Sequence, residues 1–188
     1  MINKIDENDN LKGILVIDEI PVSIAPAIFI QLLTPPEKYP SHVPAIWLKP
    51  NGDNKEISLT FTQHIFADGK QVYLYCFPEA IGHPFGKEDF EAPFETIGFL
   101  VIIDVERLLL LDQKVAKNYS AIYWARNYNL PVTIAAINAK KIERSVEKLS
   151  QLIDYSPDMP IAWCEGDIDY DSVHRIIDTI RSSIYGSE

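Results

Sequence analysis

Residues 98–104 read Gly-Phe-Leu-Val-Ile-Ile-Asp, an uninterrupted apolar run that ends on an aspartate. A run of this length and composition predicts a strand that is buried on both faces, as in the centre of a parallel sheet. Similar runs occur at residues 14–17, 132–137 and 161–164. We therefore expect these four segments to be central strands of one sheet.

Each of these runs is followed by a segment in which apolar residues recur at helical spacing, at residues 24–33, 108–122, 142–153 and 173–184. Strands that alternate with helices predict a largely parallel sheet covered by helices on both faces. Pro26 is expected in the first turn of the first helix, where a missing N–H group is tolerated.

Residues 56–66 and 71–77 are predicted to form two further strands, because the Ala-Asp-Gly at 67–69 is typical of a hairpin turn. The Pro- and Gly-containing stretches at 36–55 and 78–93 predict a long loop and an irregular segment. The predicted fold class is therefore α/β, with a doubly wound, mostly parallel six-stranded sheet that has one antiparallel edge strand.

Length and composition indicate one domain. With 188 residues and 47% hydrophobic content, the chain is long enough for one α/β core. We expect a flexible N-terminus at residues 1–11 and a single domain at residues 12–185. No apolar run reaches membrane-spanning length and the first residues are polar and acidic, so we expect no membrane insertion and a cytoplasmic location.

The charge and the cysteines exclude several kinds of partner and site. A formal net charge of -10 disfavours nucleic acid, which is normally bound by clustered Lys and Arg. Cys76 and Cys164 each end an apolar run and are expected as buried thiols, with no histidine pair nearby to complete a metal site. Asp167, Asp169 and Asp171 precede the last helix, where the helix dipole favours acids, and they lack the glycine and distal glutamate of a calcium loop.

The order of elements at residues 57–104 carries a family resemblance. The hairpin turn is followed by Val-Tyr-Leu-Tyr-Cys-Phe at 72–77 and then by the strand that ends at Asp104. An antiparallel strand pair after the first helix of an otherwise parallel sheet resembles the Ras-like small-GTPase superfamily, and within it the bacterial gliding-motility branch. The resemblance covers residues 12–182 and implies a P-loop NTPase fold.

The phosphate loop that this resemblance implies is degenerate here. A working loop reads G-x-x-x-x-G-K-[ST], in which glycines let backbone N–H groups surround the phosphates, the lysine neutralises them and the hydroxyl binds magnesium. At that place the chain has Asp18, four further residues, and then Ser23, Ile24 and Ala25. Carboxylates at Asp18 and Glu19 would repel a triphosphate, and Ile24 cannot neutralise it.

Three other family motifs are altered as well. The switch glycine motif is replaced by Pro-Glu-Ala-Ile at 78–81, and Pro78 has no N–H group for a γ-phosphate. In the base-reading motif Asn138 is present, but Lys141 replaces the aspartate that accepts from guanine. The Cys-Glu-Gly at 164–166 departs from the family's S-A-K-type loop.

Together these changes imply a catalytically inactive small-GTPase-like domain, a pseudo-GTPase that acts as a protein-interaction or regulatory module. We expect no cofactor, no metal and no enzymatic activity. The family's switch regions correspond to residues 37–55 and 78–95, and exposed aromatic residues commonly carry interface energy. The interaction candidates in these segments are Trp47, Phe85, Phe90 and Phe94. These aromatics could instead fix the loops over the core.

The resemblance implies a protein partner, either a small regulator of the longin or roadblock type or a second copy of this chain. One alternative is an atypical nucleotide binder that uses the loop backbone without magnesium. A second is a receiver-like signalling domain in which Asp104 would be the phosphoacceptor. Glu165 and Gly166 stand where a receiver needs a lysine.

Overall fold

The computed structural model describes residues 11–19, 24–48, 52, 54–77, 89–91, 94–110, 121–142, 147, 149–150, 153 and 159–186. In this part of the chain, eight strands form one sheet in the order β5-β2-β3-β4-β1-β6-β7-β8. The strands are β1 Lys12–Asp18, β2 Ser41–Leu48, β3 Lys55–Ile65, β4 Gln71–Cys76, β5 Asp89–Glu91, β6 Glu95–Asp104, β7 Val132–Ile137 and β8 Ile161–Trp163. The helices are α1 Ala25–Leu33, α2 Val105–Leu110, α3 Ala121–Arg126 and α4 Tyr170–Tyr185, with a 3-10 turn at Ala139–Ile142.

The sheet has a parallel half and an antiparallel half. β1 pairs in parallel with β4 on one side and with β6 on the other, and β7 and β8 continue the parallel part. β3 pairs antiparallel with β4, β2 with β3, and β5 with β2. The α/β class and the β3–β4 hairpin confirm the prediction, whereas the sheet is mixed.

The prediction of six strands with one antiparallel edge strand was wrong. β2 lies inside the predicted loop at 36–55, and β5 lies inside the segment 78–93 that was predicted to be irregular. Because of these additions β3 is an internal strand, and the antiparallel part contains several strands. Pro44 made β2 hard to recognise, but β5 pairs only with residues 46–48 of β2, so Pro44 lies where that strand has no described neighbour on its outer side.

The two faces of the sheet form two separate cores, because side chains alternate along each strand. In β1, Leu15 and Ile17 belong to the core that is shared with α2 and α3. Ile14 and Val16 belong to the core that is shared with α1 and α4. All four are buried, as expected of a central strand.

The helices confirm the predicted periodicity where they are described. α1 carries Pro26 in its first turn, and α4 buries Val173, Ile176, Ile177 and Ile180. The predicted helix at 108–122 is represented by α2 and α3, with residues 111–120 outside the described part. Most of the predicted helix at 142–153 is also outside it, although Leu149 and Ile153 are buried in the core.

The described helices differ from membrane-spanning helices. Within the ranges given above, no helix is both long enough and apolar enough to cross a bilayer.

Candidate functional site

The candidate site lies at the carboxyl ends of the parallel strands. β1 lies between β4 and β6. The chain adds β2 to β5 to the sheet on the side of β4, and it adds β6 to β8 on the other side. In open α/β sheets, ligands bind in the crevice at such a switch point, outside the carboxyl ends of the strands. Residues that follow β1 and β6 therefore decide what this crevice can bind.

Glu19, directly after β1, points into this region and is held there. Its backbone N–H donates to the carbonyl of Ile102 in β6 over 2.9 Å. Its carboxylate Oε2 accepts the backbone N–H of Ile122 in α3 over 3.2 Å. Only 4% of Glu19 and 3% of Asp18 are exposed. The crevice beside β1 thus contains two buried acids, one of which links β1 to α3.

The start of α1 lacks the groups that hold a phosphate. Ile24 occupies the N-cap position, makes no side-chain cap hydrogen bond and is 54% exposed. Ala25 is buried, and Pro26 in the first turn has no N–H group to donate. A helix N-terminus binds anions through its first N–H groups, so Pro26 removes one of these donors. Ser23 is outside the described residues.

Asp104 at the end of β6 starts the following helix. Its Oδ1 accepts the backbone N–H of Arg107 over 3.1 Å. This is the contact of an aspartate that caps a helix N-terminus. The carboxylate therefore has a structural partner within its own turn.

Asn138 joins two loops of the chain. It has a positive φ of 53°, and its backbone N–H donates to the carbonyl of Gly166 over 2.9 Å. Its side-chain Nδ2 donates to Oδ1 of Asp167 over 2.9 Å. The amide that the resemblance predicted to face a nucleotide base is thus engaged with the loop after β8. Lys141 lies in the 3-10 turn that follows Asn138.

A groove of about 580 Å³ runs between β8 and the start of α4. Arg175 crosses it and donates from Nη1 to the carbonyl of Trp163 over 2.7 Å. At its acidic end Asp169 caps α4: its carboxylate accepts the N–H of Ser172, and the Ser172 hydroxyl accepts the N–H of Asp169. The backbone hydrogen bond from Ser172 is the main reason that the pKa of Asp169 is lowered. As predicted, this aspartate serves the helix.

The aromatic interaction candidates are placed differently from one another. Trp47 and Phe90 are directly opposite in the register of β2 and β5. Phe85 lies outside the described residues. Phe94 is only 6% exposed and stacks on Tyr73 with ring centroids 5.1 Å apart. Phe94 therefore fills the core, which matches the alternative that these aromatics fix the chain over the sheet.

The sequence did not indicate the partner of Glu19, because Ile122 is 103 positions away along the chain. The adjacent acids Asp18 and Glu19 at the end of a buried strand were the visible clue to this contact.

Metal and thiol chemistry find little support among the described residues. In these ranges no three His, Cys, Asp or Glu side chains are grouped so that they could hold a metal ion. Cys76 and Cys164 are buried and are not joined in a disulfide.

No protein-family model matches this chain, and no curated protein matches it. The functional proposal therefore depends on the geometry of the site.

Proposed function

We propose that this chain is a small-GTPase-like domain that does not bind or hydrolyse nucleotide and that acts as a protein-interaction or regulatory module. The observation that carries the proposal is the contact of the buried Glu19 carboxylate with the N–H of Ile122. It puts a buried negative charge directly after β1, at the start of the segment where the resemblance implies a phosphate loop.

Electrostatics support the same reading. Two like unit charges 4 Å apart repel by about 4 kcal/mol at an effective dielectric constant of 20, a value typical of partly buried sites. A triphosphate beside Asp18 and Glu19 would meet this repulsion without a neighbouring lysine, since Ile24 occupies the lysine position. Binding of phosphate groups at this place is therefore unfavourable.

The region around Asn138, where the resemblance implies a base-binding loop, also supports the proposal. Asn138 uses its amide for Asp167, and a base could take that amide only by breaking a bond between two loops. The retained elements are those that build the sheet, including the hairpin next to β1. In this proposal, the α/β sheet is kept while the groups for nucleotide chemistry are replaced.

The nucleotide part of the proposal is tested by isothermal titration calorimetry with GTP, GDP and ATP, each with and without magnesium. We expect no binding heat above that of dilution at nucleotide concentrations of up to about 1 mM, a range in which only interactions weaker than about -4 kcal/mol escape detection. Micromolar binding of any of the three would contradict the proposal. Binding only without magnesium would identify the atypical nucleotide binder instead.

The interaction part rests on the paired edge of β2 and β5. The register brings Trp47 and Phe90, two interaction candidates from separate segments, to adjacent positions. Phe94 is unsuitable as a probe because its removal would open the core. We therefore place the docking face at the β2–β5 edge and the partner as a protein, either a small regulatory domain or a second copy of this chain.

This face is tested with Trp47→Ala and Phe90→Ala in two assays. Sedimentation velocity measures self-association, and quantitative affinity capture measures a partner protein. Tyr123→Ala is the matched control, because Tyr123 is an exposed aromatic on α3, at the other half of the sheet. We expect both edge variants to lose the assembly that the wild type and the control retain. Equal assembly in all four proteins would argue against a docking role for this edge.

The receiver-like alternative gains no support from the contacts of Asp104. The partly exposed Asp104 already has a structural partner, because its carboxylate accepts the N–H of Arg107 at the start of α2. Incubation with acetyl phosphate followed by mass spectrometry tests that alternative. Phosphorylation of Asp104 would support it.

A further inference from the structure

The end of the β3–β4 hairpin is fastened to α4 by a set of side chains that we call the hairpin–helix seam. Asp68 in the turn pairs with Arg181 of α4, with Nη2 and Oδ2 2.9 Å apart. The same carboxylate lies 3.3 Å from Lys70 Nζ. Lys70 in turn lies 4.4 Å from the centre of the Tyr185 ring. The seam thus consists of linked charges and one aromatic ring.

Three aromatic rings, those of His64, Phe66 and Tyr185, also contact one another along the seam. Phe66 packs edge-on against Tyr185, with centroids 5.9 Å apart. His64 packs edge-on against Phe66, with centroids 5.0 Å apart. His64 is therefore the strand-side end of a continuous contact between the hairpin and α4.

The α4 side of the seam is a single stripe. Positions 174, 178, 181 and 185 are spaced by four, three and four residues, which places them on one face of a helix. His174 and Asp178 belong to this stripe, and both influence the pKa of His64. The seam therefore carries one imidazole on each of its two elements.

The groups around His64 come from several elements. Its register partner in β4 is Val72. α1, which packs on the same face, carries no ionisable side chain. Asp68 is paired with Arg181 and Lys70, and Asp178 of α4 is the acid that favours the protonated form of His64.

We propose that the hairpin–helix seam is a proton-sensitive latch, in which protonation of His64 opposite His174 loosens the attachment of α4 to the hairpin. The latch is a property of the fold and does not depend on the proposed function.

The direction of the pH effect follows from linkage. Burial is the main reason that the pKa of His64 is lowered from its ordinary value of about 6.5, with His174 adding to the effect and Asp178 opposing it. Above pH 6.5 the group is neutral whether the latch is closed or open, so it does not affect closure. As the pH falls below 6.5 the open state binds the proton more readily, and closure is progressively lost until the closed state is protonated too.

The test is amide hydrogen exchange of the full chain, measured between pH 7.5 and pH 5 and corrected for intrinsic exchange rates. Protection of residues 170–185 is compared with that of β7 as an internal reference. In the wild type we expect a several-fold loss of α4 protection relative to β7 at the acidic end. The loss should disappear in His64→Gln and shrink in His174→Gln.

His42→Gln is the matched control, since His42 is an exposed histidine on β2 that contacts Thr60. It should behave as the wild type does. A ratio of α4 to β7 protection that stays constant across the pH range in the wild type would overturn the proposal. So would a full acidic loss of α4 protection in both His64→Gln and His174→Gln. If His64→Gln unfolds, the His174→Gln result alone decides, because His174 is on the exposed face of α4.

Discussion

Glu19 stands out among the acids of this chain because its carboxylate is buried yet bonded to the backbone of another element. A backbone N–H needs an acceptor when it is shielded from water. Glu19 supplies that acceptor for Ile122. The residue that excludes phosphate in our proposal thus also supports α3.

The stability of the domain should depend on this contact. Glu19→Ala leaves the N–H of Ile122 without its acceptor, and we expect it to lower the free energy of unfolding by about 1–3 kcal/mol. Glu19→Gln keeps an acceptor oxygen and should cost less. Urea unfolding at pH 7 measures both. Glu56→Ala, at an exposed position of β3, is the control and should stay within about 0.5 kcal/mol of the wild type. A loss in Glu19→Ala no larger than that of the control would show that the contact is not stabilising.

At the same scale, the sequence could indicate which residues are wrong for nucleotide binding but not what they do instead. Asp18, Glu19 and Ile24 were recognisable because a phosphate loop has a fixed spacing. The partner of Glu19 was not, because it is brought near only when β1 and α3 pack on the same sheet. Phe94 was an interaction candidate with core packing as the open alternative, because the aromatic neighbours that bury it come from β3 and β4.

Among the elements, β1 has very little free space around Gly13. A Cβ atom on Gly13 would lie 2.6 Å from Cβ of Phe94 and 2.8 Å from Cε1 of Tyr75. The hydroxyl of Tyr75 is fixed by a 2.6 Å hydrogen bond with Thr96, so that ring cannot easily move away. The second residue of β1, Gly13, must therefore be one without a side chain.

Gly13→Ala should lower the free energy of unfolding by about 1–3 kcal/mol through overpacking. Gly166→Ala is the matched control, because no described atom lies within 4 Å of a Cβ placed there. It should stay within about 0.5 kcal/mol of the wild type. Thermal and urea unfolding of both variants measure the difference. Equal stability of the two variants would mean that the packing around Phe94 relaxes freely.

The elements also show where sequence patterns suffice. β6, β7 and α4 were predictable because their apolar periodicity is local and uninterrupted. β2 was not, because Pro44 and the neighbouring prolines are typical of a loop. β5 has three residues, which is too short for any periodicity to be recognised.

On the scale of the whole molecule, the two halves of the sheet have different roles in this account. At the carboxyl ends of the parallel half, the side chains of Glu19, Asp104 and Asn138 are engaged by other groups of the chain. The antiparallel half adds strands at the edge, and there we place the docking face. A net charge of -10 fits a partner that is not a polyanion.

The most direct measurement is a crystal structure of the chain soaked with millimolar GTP and magnesium. The account predicts an empty crevice between the carboxyl ends of β1 and β6, with Glu19 still accepting the N–H of Ile122. Electron density for a triphosphate before α1, with Glu19 displaced from Ile122, would contradict it.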